Sequence, residues 1–361
     1  MRVIAHDELV SVIKTAYKKN VTCFIWGATG IGKSETVRQA GREIAASLKL
    51  KFNEGTDVQE NNFSIIDVRL SQFDPSDLRG LPFVTQDGKT KWAYPSWLPT
   101  KGKGLLLLDE VNLAPPLVQS SAYQLVLDKK LGDYTLPEGW SIVAAGNRAE
   151  DKAYTFEIAA PLCNRFIHFE LGLPSIDDWT EWASVNKVDR RIITFLNYKP
   201  SFLFKYDSKI KEKAFPTPRS WAKYCSPLIA DTGEDYKALL TLMSSAVGDG
   251  VAMEAVAYIK LSKQFKIADI IANPKQIESI TGIDVKYSLV AALAEYCKKD
   301  LKKTLPEVCG VIEYLEKEFA ILTLRFVKDE VGVDKIADVL KNNKVVLKAF
   351  SSYLPYLKTF E

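Results

Sequence analysis

Apolar positions recur along this chain with two periods, one near two residues and one near 3.6, and the switch between them outlines the elements. Leu9, Val12, Ile13 and Ala16 share one helical face, predicting a short helix over residues 7–19. Residues 21–26, Val-Thr-Cys-Phe-Ile-Trp, are β-branched and aromatic and read as a buried strand. Val37, Gly41, Ile44, Ala45 and Leu48 then return to helical spacing. The polar run 53–62 reads as a surface loop, 63–69 as a second strand, and 83–94 as a hairpin turning at Asp87-Gly88. Four successive leucines, Leu105 to Leu108, suit a central parallel strand buried on both faces. Residues 117–128 (Leu117, Ala122, Leu125, Val126) predict a helix, 129–134 a tight hairpin, and 140–147 and 167–171 two more strands.

Beyond Pro174 only the helical period persists. Ser175 caps a helix start, Ile192, Ile193, Phe195 and Leu196 mark a helix that Pro200 ends, and Thr217 caps another with Pro218 in its first turn. Later stripes are Leu239, Leu242, Met243 and Ala246; Val251, Ala255, Tyr258 and Ile259; Val290, Leu293, Ala294 and Cys297; and Val308, Ile312, Leu315, Phe319 and Leu322. These read as core. The expected fold is therefore α/β, a parallel sheet sandwiched by helices over residues 1–172. A helical lid (173–264) and an all-helical C-terminal region (265–361) complete it.

The candidate chemistry sits at the ends of the predicted strands. Gly27, Ala28, Thr29, Gly30, Ile31, Gly32, Lys33 and Ser34 fit G-x-x-x-x-G-K-[ST], between a strand and a helix as that phosphate-cradling loop requires. Its glycines let the backbone approach a phosphate chain, and the helix after it adds the positive end of its dipole. Lys33 is placed to reach β- and γ-phosphates and Ser34 to ligate Mg²⁺. Asp109 and Glu110 end the leucine strand. Two carboxylates there need a partner, which a Mg²⁺–nucleotide supplies: Asp109 through the metal's water shell, Glu110 by orienting and deprotonating the attacking water. Asn147, at the end of another strand, can bind a γ-phosphate oxygen or polarise a water, or simply sit in a turn. Arg165 alone reads as a surface arginine. Arg219, in the first turn of a helix where a cation is unfavourable, suggests an anion nearby.

Composition narrows the classes. The 361 residues are 47% hydrophobic and 26% charged, with a net charge of +3, which gives nucleic-acid binding no support of its own. Residues 187–223 are richer in Lys and Arg than in acids and read as a solvated lid face. The five cysteines (Cys23, Cys163, Cys225, Cys297, Cys309) lie far apart, as reduced buried thiols of a cytoplasmic protein would. Two histidines, His6 and His168, make a histidine metal site or base improbable, and His168 reads as a strand-end residue. Trp92, Tyr94 and Trp97 read as local packing among prolines. No signal peptide or membrane-length apolar run is evident.

In this order the motifs resemble those of the AAA+ ATPases, most closely the MoxR-type, dynein-related branch. The resemblance rests on residues 27–34 (Walker A), 105–110 (Walker B), 144–147 (sensor 1), Asn164-Arg165-Phe166 (arginine finger) and Thr217-Pro218-Arg219-Ser220 (sensor 2), with residues 74–94 like the branch's insert. Ala28-Thr29 departs from the proline common there, at a position dominated by backbone. The resemblance implies ATP and Mg²⁺ bound between subunits of a homo-oligomeric, usually hexameric, ring. Arg165 would then reach the neighbour's γ-phosphate and Arg219 would act from the lid, with Arg148 as a second interface arginine. It also implies chaperone-like remodelling of a protein partner, often beside a von Willebrand factor A-domain protein. The alternatives are a nucleic-acid-acting motor or restriction-type subunit, and a nucleotide-binding scaffold without turnover.

Overall fold

The computed structural model describes residues 1–148, 151, 155–206, 213–233, 235–262, 265–297 and 300–357. The chain divides into two compact units, Met1–Pro174 and Ser175–Glu361.

In the first unit, β1 (Val3–Ile4), α1 (His6–Lys19), β2 (Cys23–Trp26), α2 (Lys33–Ser47), β3 (Lys51–Glu54) and β4 (Asn62–Arg69) come first. Next come α3 (Pro75–Arg79), the hairpin β5 (Leu81–Val84) and β6 (Thr90–Ala93), β7 (Lys103–Asp109) and α4 (Pro116–Asp128). A second hairpin, β8 (Lys130–Leu131) and β9 (Tyr134–Thr135), leads to β10 (Trp140–Gly146), α5 (Ala160–Cys163) and β11 (Ile167–Leu171). Seven strands form one parallel sheet in the order β1-β11-β2-β10-β7-β4-β3.

Strand alternation assigns the two faces. Ile66, Val68, Leu106, Leu108, Ile142 and Ala144 point toward Val118, Ala122 and Leu125 of α4. The intervening residues, Ile65, Leu105, Leu107 and Val143, are equally buried, on the face where α1 and α2 pack. With both faces covered, the central strands read as unbroken apolar runs rather than alternating ones. Gly104 permits the closest approach in the sheet: a Cβ there would lie 2.0 Å from the Ser64 carbonyl oxygen.

Three departures from the sequence reading have physical causes. Residues 53 and 54 are not loop but part of the edge strand β3, in which Phe52 is in register with Phe63. Their polarity is that of a solvent-facing edge, and Arg42 stacks over the Phe52 ring at 5.4 Å. Leu117 is 73% exposed in the first turn of α4, so the buried face of that helix begins at Val118. In the second unit Leu242 is also exposed, and the face its helix buries is Leu239, Met243 and Val247.

The second unit is all helical among the described residues. Ser175 accepts a hydrogen bond from Asp178 N (3.1 Å) and caps Ile176–Val185, as the sequence predicts. Thr217 and Ser220 cap each other reciprocally, Ser220 N to Thr217 Oγ1 at 3.0 Å and Thr217 N to Ser220 Oγ at 2.8 Å. The helix they open is not a plain α-helix: Ser220–Cys225 is a π-helical turn that runs into Ser226–Thr232. One buried cluster extends from Trp179 to Leu357. Residues 263 and 264, at the boundary expected between lid and C-terminal region, lie outside the described residues. On either side of them Val256 and Ile259 share the core with Leu289, Val290 and Leu293, so residues 265–361 complete the core of this unit. Among the described residues no helix is long and apolar enough to cross a membrane.

Candidate nucleotide site

The glycine-rich loop joins the end of β2 to the start of α2. Gly30 and Gly32 hold φ of 80° and 106°, and Gly32 is the residue from which α2 begins. That conformation disfavours any side chain and turns the loop's peptides toward the helix N-terminus. Gly27 is needed for space instead, since a Cβ would meet Ile31 Cδ1 at 2.7 Å and the Leu171 carbonyl at 3.1 Å. His6, from the start of α1, places Nε2 2.9 Å from the Ile31 carbonyl oxygen and ties the loop from outside.

Lys33 is buried, and its ammonium donates to the carbonyls of Gly27 (2.7 Å) and Ala28 (3.0 Å) and to Asn147 Oδ1 (2.9 Å). Beside it the Ser34 hydroxyl donates to Asp109 Oδ2 at 2.6 Å. Asp109 Oδ1 accepts from the backbone N–H of Glu110 at 2.8 Å. A hydroxyl and a carboxylate in contact are the hard oxygen donors that suit Mg²⁺. The donor set therefore fits that ion, with Ser34 and Asp109 as the residues to hold it.

Glu110 adopts a left-handed conformation, φ 57°, which turns the chain out of β7. Its Oε2 accepts a hydrogen bond from Ser71 Oγ. Ser71 lies just past β4, whose Arg69 is in register with Asp109, so the sheet itself brings the serine to the glutamate. Asp67, further back on β4, bonds Arg38 through Oδ2 at 2.8 Å and leaves Oδ1 buried without a partner. Burial, then the charge of Asp109, pushes its carboxyl above the ordinary range, against the pull of Arg38 and Arg69.

Asn147 stands just past β10. Its Oδ1 takes the Lys33 bond and a longer one from Thr29 Oγ1 at 3.4 Å. Because an ammonium can only donate, that contact fixes which end of the amide is oxygen. Thus residues 27–34, Asp109, Glu110 and Asn147 come together at the C-terminal ends of β2, β7 and β10, the edge at which parallel sheets bind ligands.

The arginines are placed otherwise. Arg165, between α5 and β11, is exposed, and among the described residues its guanidinium has no hydrogen-bond or ion-pair partner. Arg219 is exposed in the second unit, within its capping turn. Arg148 is bound within its own subunit, to Asp151 at 2.9 and 3.2 Å and to Glu170 at 3.2 Å. His168 lies inside β11 rather than at a strand end. Trp26 Nε1 donates to its Nδ1 (3.0 Å), so Nε2 carries the proton toward the Cys163 carbonyl (2.7 Å).

The sequence reading missed three residues that shape this site: His6, Ser71 and Asn112. Only Asn112 left a trace, as a polar residue inside the otherwise apolar stretch 111–114.

No protein-family model matches the sequence, and no curated protein matches it. Among solved structures the chain is similar to a candidate ATPase from Cytophaga hutchinsonii, at 13% identity over 91% of this chain and 81% of that one, with a TM-score of 0.34. It is also similar to a RuvB variant from Thermotoga maritima (11% identity, 82% and 75% covered, TM-score 0.36). A third is NtrX from Brucella abortus in complex with ADP (12% identity, 81% and 64% covered, TM-score 0.38). At such identities and scores these likenesses carry no functional weight. The functional assignment rests on the chain's own residues.

Proposed function

We propose that this chain is an AAA+-type P-loop ATPase that hydrolyses Mg²⁺–ATP at a subunit interface and uses the cycle to remodel a protein partner, in the manner of MoxR-type proteins. The observation that carries the reading is the convergence on one sheet edge of the Lys33 ammonium, the Ser34–Asp109 pair and the Glu110 carboxylate.

Each group has a task that its position supports. The loop N–H groups and the N-terminus of α2 receive the phosphates. Lys33 exchanges the carbonyls of Gly27 and Ala28 for β- and γ-phosphate oxygens, keeps Asn147 Oδ1, and loses little by doing so, because it trades neutral oxygens for charged ones. Mg²⁺ held by Ser34 and Asp109 would supply charge neutralisation across those phosphates. Glu110 orients a water in line with the γ-phosphate and accepts its proton. Asn147 offers its side-chain N–H₂ to that water or to the phosphate, its oxygen being already engaged.

Arg165 completes the site from a neighbouring subunit. An exposed guanidinium with no partner among the described residues is what such a role requires, since charge building on the transferred phosphoryl group needs a donor that arrives only on assembly. Arg219 acts from the helical lid. The test is phosphate release from Mg²⁺–ATP by the purified chain over a range of protein concentrations. A shared site predicts specific activity that rises with concentration as a homo-oligomeric ring, expected to be a hexamer, forms. No release at any concentration contradicts the assignment.

A further inference from the structure

The pairing of β10 with β7 ends at Ala144, opposite Leu108, because β7 stops at Asp109, and its pairing with β2 ends at Gly146. At Asn147 the side chain of Asn112 takes the place of a paired strand. Its Oδ1 accepts from the Asn147 backbone N–H at 3.0 Å, and its Nδ2 donates to the Asn147 carbonyl at 2.7 Å. One carboxamide thus satisfies both backbone groups of Asn147, as a paired peptide would. Asn112 is 3% exposed, and Gly146 leaves the room it needs: a Cβ at 146 would lie 2.7 Å from Asn112 Oδ1.

Asn112 also sits in the short 3₁₀ turn Val111–Leu113 that Glu110 initiates. It therefore couples two groups of the site that lie on different strands: the carboxylate of Glu110, two residues before it, and the amide of Asn147, whose main chain it grips. We propose that Asn112 is a positioning residue that fixes Asn147 relative to Glu110 and, through the bond to Lys33, relative to the phosphate loop. This role rests on the hydrolytic reading of the site. Asn112 touches neither phosphate nor water and acts through Asn147.

A structural role alone would lower stability and any activity together, whereas a positioning role predicts a split. Asn112→Ala should lower kcat by roughly tenfold or more while KM for ATP stays within about twofold, because displacing a catalytic group costs turnover more than ground-state binding. A second readout is a double-mutant cycle. Asn112→Ala combined with Asn147→Ala should hydrolyse no more slowly than Asn147→Ala alone, since there is no longer a side chain to aim. If Asn112→Ala does not fold, Asn112→Asp, which keeps the shape and the acceptor but lacks the donor, takes its place in the cycle. Additive losses in kcat, or a kcat within about twofold of the parent for the folded variant, overturn the proposal. Glu110→Gln measured in parallel separates the two readings. Lost turnover there with parental turnover in the Asn112 variants removes only the positioning role, and parental turnover in Glu110→Gln removes the hydrolytic reading beneath it.

Discussion

Lys33 Nζ lies 2.9 Å from Asn147 Oδ1, joining the first turn of α2 to the end of β10 across 114 positions of sequence. The bond holds the ammonium inside the loop where the proposed triphosphate would be received, alongside its bonds to the two loop carbonyls. On the proposed reading, replacing Lys33 by Ala would remove charge-assisted bonds to two phosphates, worth at least about 3 kcal/mol together, or roughly a hundredfold in affinity. Titration with a fluorescent ATP analogue checks this. Affinity within a few-fold of the parent would mean that the triphosphate does not lie against this side chain.

Arg165 is exposed and unengaged among the described residues, so its removal should leave folding and nucleotide binding intact. Arg165→Ala is expected to lose hydrolysis by about a thousandfold, the scale of an absent arginine donor. Mixing it with Glu110→Gln should restore part of the activity, because some interfaces then pair an intact Glu110 with an intact Arg165. Phosphate release from the mixture measures it. No recovery at any ratio speaks against a site shared between subunits.

Asp67 gives the fold a pH dependence of known sign. Burial holds its folded carboxyl above the ordinary range, so the folded chain binds that proton more tightly than the unfolded chain does. The resulting stabilisation is complete below the unfolded value and is lost as pH rises through the folded one. Asp67→Asn keeps the neutral form throughout, and Arg38 retains Glu54 at 3.2 Å. Thermal melts without nucleotide should show the variant gaining on the parent as pH rises above the ordinary carboxylate range. A difference that does not change with pH, or that shrinks, contradicts the assignment.

Residues 265–361 supply Leu289, Val290, Leu293, Leu305 and Val308 to the core of the second unit, each fully buried. Full burial of such side chains contributes about 1.5–3 kcal/mol apiece. A chain ending at residue 262 should therefore aggregate or melt without cooperativity over its helical part, as seen by size-exclusion chromatography and calorimetry. A monodisperse truncation with an unchanged melting profile would show that the core divides where the sequence suggested.

Much of the first unit is legible because its signals are local. The leucines at 105–108 suit a doubly covered strand, which β7 is, and the spacing of Gly30, Gly32 and Lys33 marks a tight turn into a helix. β3 escaped because an edge strand needs no apolar run and Lys51-Phe-Asn-Glu54 offers none. Leu117 and Leu242 escaped because periodicity gives a helix's faces only to within about one position at its margins. Ser71 escaped, and Asn112 left only its polarity as a trace, for another reason. Each matters through a partner, Glu110 or Asn147, that is 39 or 35 positions away and reaches it only when the strands align.

The proposed reaction gives Glu110 the central task, activating water beside a magnesium-bound triphosphate. Glu110→Gln keeps the size and the acceptor that faces Ser71 but cannot take a proton, so the decisive measurement is ATP binding and phosphate release by this one variant. The predicted result is ATP bound at parental affinity with turnover reduced by about 10²–10⁴. Turnover at the parental rate would contradict it.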